Sequence, residues 1–139
     1  MKPTHVTKAF FDTNVVLYLL ATEDAKADRA EAILAAGGVI SVQVLNEFVH
    51  VARRKFRAPW DAIHVTLAGI RANTIVEPLT LETHEAGLFL AQRFELSTFD
   101  GQLLGAAVLA NCDVFYSEDM QDGLKVTAKL TIRNPFLDA

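Results

Sequence analysis

A single cysteine, Cys112, is all the thiol chemistry in this 139-residue chain. No internal disulfide can form, and no His/Cys pair stands at zinc-ligand spacing. Long apolar runs are also missing. The longest, Val15 to Ala21, has seven residues, too few to span a membrane. Lys2, His5 and Lys8 occupy the stretch where an export signal would need its apolar core. A reducing, cytoplasmic setting is therefore expected. Low-complexity tracts, repeats and linkers are absent, and the four prolines and seven glycines are scattered singly or in pairs. One domain over 1–139 is the economical organisation. Positive charge is scarce as well: 13 Lys and Arg against 17 Asp and Glu give a net charge of −4. That argues against gripping nucleic acid over the whole surface, so such a partner must meet a local basic patch. What the chain does have is apolar material, 51% against 22% charged. At this length it can bury about two-thirds of its unfolded surface, so disorder is excluded as the main state.

The pattern alternates short apolar runs with helical stretches. Ala9–Phe11 reads as a buried strand and Val15–Leu20 as a short helix, capped by Asp12 or Thr13. Asp24–Ala36 is a helix stopped by Gly37-Gly38, and Val39–Val42 a second strand. Gln43–Phe56 is a helix whose apolar face carries Val44, Leu45, Phe48, Val49 and Ala52. Trp60–Ala72 is a helix, Thr74–Glu77 a strand closed by Pro78, and Leu81–Phe94 and Asp100–Ala110 are helices. Asp113–Tyr116 is a strand, 117–123 a loop, and Leu124–Arg133 the last strand or two. Strands alternating with helices indicate an α/β domain with a central, mainly parallel sheet. Such sheets bind ligands beyond the carboxyl ends of their strands.

Acids stand at several of those ends. Asp12 leaves the first strand, where it also suits a helix cap. Glu47 borders the apolar face of the Gln43–Phe56 helix, a position that also suits a solvated charge. Asp100 shares a stripe with Leu103, Leu104 and Ala107 at a helix N-terminus, where Ser97 and Asp100 also match a capping box. Asp119 lies just past the Asp113–Tyr116 strand, in a loop where Asp122-Gly123 reads as a turn and Glu118 as solvated. A parallel sheet would bring these acids to one edge. Carboxylates gathered there repel unless a cation joins them, and an all-oxygen donor set selects Mg2+ or Mn2+ over zinc.

The ordered set Phe11-Asp12-Thr13-Asn14, Asn46-Glu47-Phe48, Asp100 opening a helix, and Ser117-Glu118-Asp119-Met120-Gln121-Asp122-Gly123 resembles the PIN domain. Within that superfamily it is most similar to the VapC-type ribonuclease toxins of prokaryotic toxin–antitoxin pairs. The resemblance runs from about Phe10 to Phe136. It implies a three-layer α/β/α sandwich around a parallel sheet, and hydrolysis of RNA phosphodiester bonds dependent on one or two Mg2+ or Mn2+ ions. The products would carry a 5′ phosphate and a 3′ hydroxyl. Its catalytic, metal-holding acids match Asp12, Glu47, Asp100 and Asp119, with Asp122 as an accessory metal ligand able to trade roles with Asp119. Thr13, Asn14 and Ser117 match polar positions of the same pocket. One departure is Gly101, where relatives commonly carry Ala; it loosens the start of that helix. The resemblance further implies an RNA substrate, transfer RNA among the candidates, a small antitoxin partner that blocks the site, and a homodimer.

Without the four acids, the chain has 13 acids against 13 bases. Substrate phosphates then need a positive contact. Arg53-Arg54-Lys55, with Arg57 just after, is the densest basic cluster and the expected RNA-binding patch. Arg54 lies seven residues beyond Glu47 on nearly the same stripe, about 10 Å along the helix; the same cations also suit a helix C-terminus. His50 reads as a surface residue. Leu17, Tyr18, Leu20, Trp60 and Ile63 read mainly as core, with part of them available to a surface groove. Two rival functions fit the acids. One is a phospho-accepting signalling domain, which needs a lysine at the pocket, Lys125 being the nearest. The other is a catalytically idle binding domain of the same fold.

Overall fold

Short apolar runs such as Ala9-Phe10-Phe11 are too brief for a buried helix and become strands shielded on both faces. In the computed structural model, which describes residues 7–21 and 24–137, five short strands form one sheet. They are β1 (Ala9–Phe11), β2 (Gly38–Ser41), β3 (Thr74–Glu77), β4 (Val114–Tyr116) and β5 (Thr131–Arg133). The order is β3-β2-β1-β4-β5 and every pairing is parallel. Of these, β1 is buried at the centre, and β3 and β5 are partly exposed at the edges. Lys2 and His5, used in the argument against export, lie outside the described residues. Among the described residues, no helix is long and apolar enough to cross a membrane.

Among the described residues, six helices flank the sheet in an α/β/α arrangement: α1 (Thr13–Leu17), α2 (Ala25–Ala35), α3 (Val42–Arg54), α4 (Trp60–Asn73), α5 (Leu81–Phe94) and α6 (Thr98–Leu109). A 3-10 turn, Tyr18–Leu20, extends α1. Gly37, at a φ of +88°, ends α2 with its N–H donating to Leu34 O at 2.9 Å. This left-handed stop is favourable only for glycine.

The register of β1 against β4 places Phe10 beside Phe115 and Phe11 beside Tyr116. Their rings stack at 5.3 and 6.0 Å between centroids. Side chains alternate across a strand, so the two stacks fall on opposite faces and stiffen the centre of the sheet from both sides. Helix residues Val44, Phe48, Ile63, Leu103 and Leu104 close the core.

Two expectations change. Leu124–Leu130 is not a strand. Thr127 Oγ1 accepts from Lys129 N and Leu130 N at 3.2 and 2.9 Å, curling the chain back so that Val126 N reaches Leu130 O at 2.9 Å. Only Thr131–Arg133 joins the sheet. The mainly-core reading of the five apolar residues holds fully for Ile63 alone; Leu17, Tyr18 and Leu20 are half-buried and Trp60 is exposed. The first three sit on a short α1 and its 3-10 turn, which present one side to the surface.

Candidate active site

The strand order reverses direction at β1. The chain builds outward through β2 and β3, then returns to lay β4 and β5 on the other side of β1. A crevice opens at such a switch point, beyond the carboxyl ends of the two diverging strands. Asp12 follows β1 and Ser117 follows β4, so the crevice lies between them. The Asp12 N–H extends the ladder by donating to Tyr116 O at 2.9 Å. Across the same gap, Ser117 Oγ donates to Asp12 Oδ2 at 2.8 Å.

Asp12 also caps α1, its Oδ1 accepting from Thr13 N at 2.7 Å. The cap reading holds, with one oxygen serving the helix while the other accepts from Ser117. Asn14 Nδ2 donates to Asp12 Oδ2 at 3.3 Å and to Asp119 Oδ2 at 3.0 Å, and Asn14 Oδ1 accepts from Glu118 N at 3.2 Å. Ser117 Oγ in turn accepts from Asp119 N and Met120 N at 3.2 and 3.1 Å. The segment after β4 is thus wrapped around the end of β1.

Glu47 arrives from α3. Thr13 Oγ1 donates to its Oε1 at 2.8 Å, and Gln43 Nε2 to its Oε2 at 2.9 Å. Gln43 Nε2 also donates to Phe99 O at 3.0 Å, which ties α3 to the start of α6. There Ser97 caps the helix by accepting from Asp100 N at 3.0 Å. Gln43 is a site residue that the sequence does not single out, although its place one helical turn before Glu47 is the available signal.

Asp12, Glu47, Asp100 and Asp119 line one cavity of about 460 Å3, together with Thr13, Asn14, Leu17, Asn46, His50 and Val51. Among the described residues, no lysine or arginine lines it. Lys125, which a phospho-accepting site would need, is exposed outside it. His50 is exposed at the rim, as read from the sequence. The electrostatics follow from this crowding. Burial is the main cause that pushes the Asp12 carboxyl up from 3.8 to about 7; the Ser117 and Thr13 hydrogen bonds oppose it, and the charges of Asp100 and Glu47 add to it. Burial likewise raises Asp100, opposed by Ser97 and reinforced by Glu47 and Asp119. Among the described residues, no three His, Cys, Asp or Glu side chains close into a group able to hold an ion on their own. Four carboxylates around an open cavity match a cation that keeps part of its water shell, as Mg2+ does with one or two direct carboxylates. The oxygen-only donor set fits the same class.

Asp122 is not brought into the cavity. It is exposed, and its Oδ1 accepts from Asn134 N at 2.8 Å, tying the loop after β4 to the residue that follows β5. Glu118 is not simply solvated. Its oxygens accept from Tyr18 OH at 2.7 Å and Lys26 Nζ at 2.6 Å, fastening the loop to the turn after α1 and to the start of α2. Of the basic cluster, Lys55 alone reaches a cavity wall, in an adjoining hollow that shares Asn14, Leu17, Val51 and Asp119 with the first. Arg54 lines neither of these two hollows. Arg53 is turned onto Trp60, 4.6 Å above the ring, and Arg57 is exposed at a φ of +52°, in the turn after the helix.

A PIN domain family profile matches residues 9–129. No curated protein matches the chain. Among solved structures, a toxin–antitoxin complex from Klebsiella pneumoniae is similar at a TM-score of 0.70 and 20% identity, covering 93% of this chain and 98% of the other. VapC20 of Mycobacterium tuberculosis, a sarcin-ricin loop cleaving toxin, aligns at a TM-score of 0.63 and 22% identity over 78% and 87%. VapBC2 of Rickettsia felis, bound to a DNA fragment of its promoter, aligns at 0.68 and 14% over 92% and 98%. At these identities the likeness is one of fold.

Proposed function

This chain belongs to the PIN domain family, and from that premise we propose that it is a divalent-metal-dependent endoribonuclease, the toxin of a toxin–antitoxin pair. One observation carries the reading. Four acids far apart in sequence line a single cavity at the switch point of the sheet, with no lysine or arginine among its lining residues. Asp12, Glu47, Asp100 and Asp119 would hold Mg2+ or Mn2+. When bound, such an ion supplies a water acidic enough to lose its proton near neutral pH and positive charge for the phosphate oxygens.

The remaining chemistry belongs to the chain. Ser117 Oγ and the Thr13 N–H fix one oxygen each of Asp12, so that this carboxylate keeps its orientation whether or not an ion is present. Asn14 holds Asp119 against Asp12. Thr13 Oγ1 and Gln43 restrain both oxygens of Glu47. Such preorganisation removes the cost of gathering like charges at the moment of reaction. The neighbouring folds include toxin–antitoxin assemblies, which supports a small antitoxin as the partner.

The test is cleavage of RNA, transfer RNA included, by the purified protein with Mg2+ or Mn2+ and with EDTA. Cleavage that needs the metal and falls by at least a hundredfold in Asp12→Asn, with an unchanged circular dichroism spectrum, is the expected result. Full activity of Asp12→Asn, or activity undiminished by EDTA, would overturn the assignment.

A further inference from the structure

Asp100 and Glu47 reach the cavity from parts of the molecule that pack separately. Asp100 stands in the first turn of α6, which packs chiefly on α5, its Gly101 and Gly105 lying against Gly87. Glu47 stands in the middle of α3. Among the described residues, the one hydrogen bond between α3 and α6 runs from Gln43 Nε2 to Phe99 O, at 3.0 Å. The same nitrogen donates to Glu47 Oε2 at 2.9 Å. A single amide therefore grips the Glu47 carboxylate with one hydrogen and, with the other, the carbonyl bonded to the nitrogen of Asp100.

That double grip leaves a polar atom unmet. Gln43 is 7% exposed, and its Oε1 is buried with no hydrogen-bond partner among the described residues. The amide cannot turn over to mend this. Glu47 Oε2 and Phe99 O only accept, and a flipped group would set oxygen against oxygen twice. Ser41 Oγ, where β2 passes into α3, is a second buried oxygen of this kind. A buried acceptor without a donor destabilises a fold, and an apolar side chain of the same shape removes the penalty. Both acceptors that Gln43 serves lie on residues that water reaches, since Glu47 is half-buried and Phe99 is exposed. Folding alone thus gives no reason for an amide here, whereas a fixed distance between two site acids does. A lysine could grip the same two acceptors, but it would cancel one of the charges that attract an ion.

We propose that Gln43 is a positioning residue: it sets the separation of Glu47 and Asp100, and with it the affinity of the cavity for a divalent cation. The inference rests on the metal-dependent reading above and adds to it a residue that does not itself line the cavity.

The test separates ion affinity from stability. Mn2+ is titrated into full-length wild-type, Gln43→Met and Gln43→Leu protein, the free ion being followed by its EPR signal, and urea midpoints are measured without metal. Methionine matches glutamine in length and lacks its amide; leucine is a second apolar replacement. Both variants should bind Mn2+ about 10- to 100-fold more weakly than the wild type, and the urea midpoint of Gln43→Met should be no lower. A merely structural role would lower the midpoint and leave the ion affinity of the folded protein alone. Wild-type Mn2+ affinity in Gln43→Met overturns the inference and leaves the ribonuclease reading standing. So does a midpoint lowered in both variants, which would make Gln43 a part of the fold first. Wild-type protein that binds no Mn2+ would sink both.

Discussion

Asp12 is the most constrained acid of the site, 6% exposed and bonded through both oxygens. Its carboxyl is raised by burial from 3.8 to about 7. Between those two values the folded chain keeps a proton that the unfolded chain has released. Stability therefore falls as pH rises from about 4 to about 7, and levels off above. Without metal, Asp12→Asn should abolish that part of the fall and unfold at higher urea than the wild type at pH 8. The gain should be on the order of 2–4 kcal/mol. Urea midpoints of both proteins from pH 4 to 8 check this; parallel curves would mean that Asp12 is ionised at little cost. The place of this residue is legible in the sequence because an acid directly after an apolar strand stands at the carboxyl edge of a parallel sheet, where ligands bind. Gln43 is not, since nothing in a helix sequence announces that an amide will span two neighbours. Glu118 reads as solvated only because its partners, Tyr18 and Lys26, are about a hundred residues away.

Among elements, α6 illustrates how a site acid depends on packing well behind it. Gly101 is not a weak start to the helix, as its sequence context implied. A Cβ built there would stand 2.4 Å from Gly87 O and 2.7 Å from the Ala91 side chain, so α5 and α6 meet backbone to backbone. That contact positions the first turn of α6, which carries Asp100. Gly101→Ala should destabilise by about 1–3 kcal/mol through overpacking, despite the better helix propensity of alanine. Gly69, midway along α4, has nothing within 4 Å of its Cβ position. Gly69→Ala should stabilise by about 0.5–1 kcal/mol. Thermal unfolding of the two variants checks the opposite signs. Strands β1 to β4 and all six helices are legible to within about two residues, because each is a separate apolar run or an amphipathic repeat between clear stops. The stretch before β5 is not. Its loose alternation at Val126 and Leu130 comes from a threonine-centred loop that buries two side chains and pairs with β5 only through an isolated antiparallel bridge, Lys125 to Thr131.

For the whole molecule, the arrangement of charge is the feature that composition conceals. Four acids crowd the switch point, while five of the thirteen Lys and Arg fall between Phe48 and Val76, a stretch with one acid. The net charge of −4 describes neither. A divalent cation that binds the folded chain at the acidic end must stabilise it by mass action, by about 2.7 kcal/mol at a hundred times its dissociation constant. Mn2+ should raise the melting temperature of the wild type, and raise that of Asp12→Asn or Asp119→Asn much less. Equal shifts in all three would place the ion elsewhere. The strand order is foreshadowed only as a parallel sheet. Which strand lies beside β1 is decided by long-range pairing, and no local pattern at Val114–Tyr116 reveals it.

That pairing has a consequence for synthesis. β1 is made first, yet one of its two edges waits for β4, and the fourth carboxylate comes only three residues after β4 ends. A ribosome-bound chain holding the first hundred residues has three of the acids and neither Ser117 nor Asp119 to brace Asp12. Assembly of the complete set is deferred until translation is nearly over, so a chain that stops short of β4 never forms the four-acid cavity.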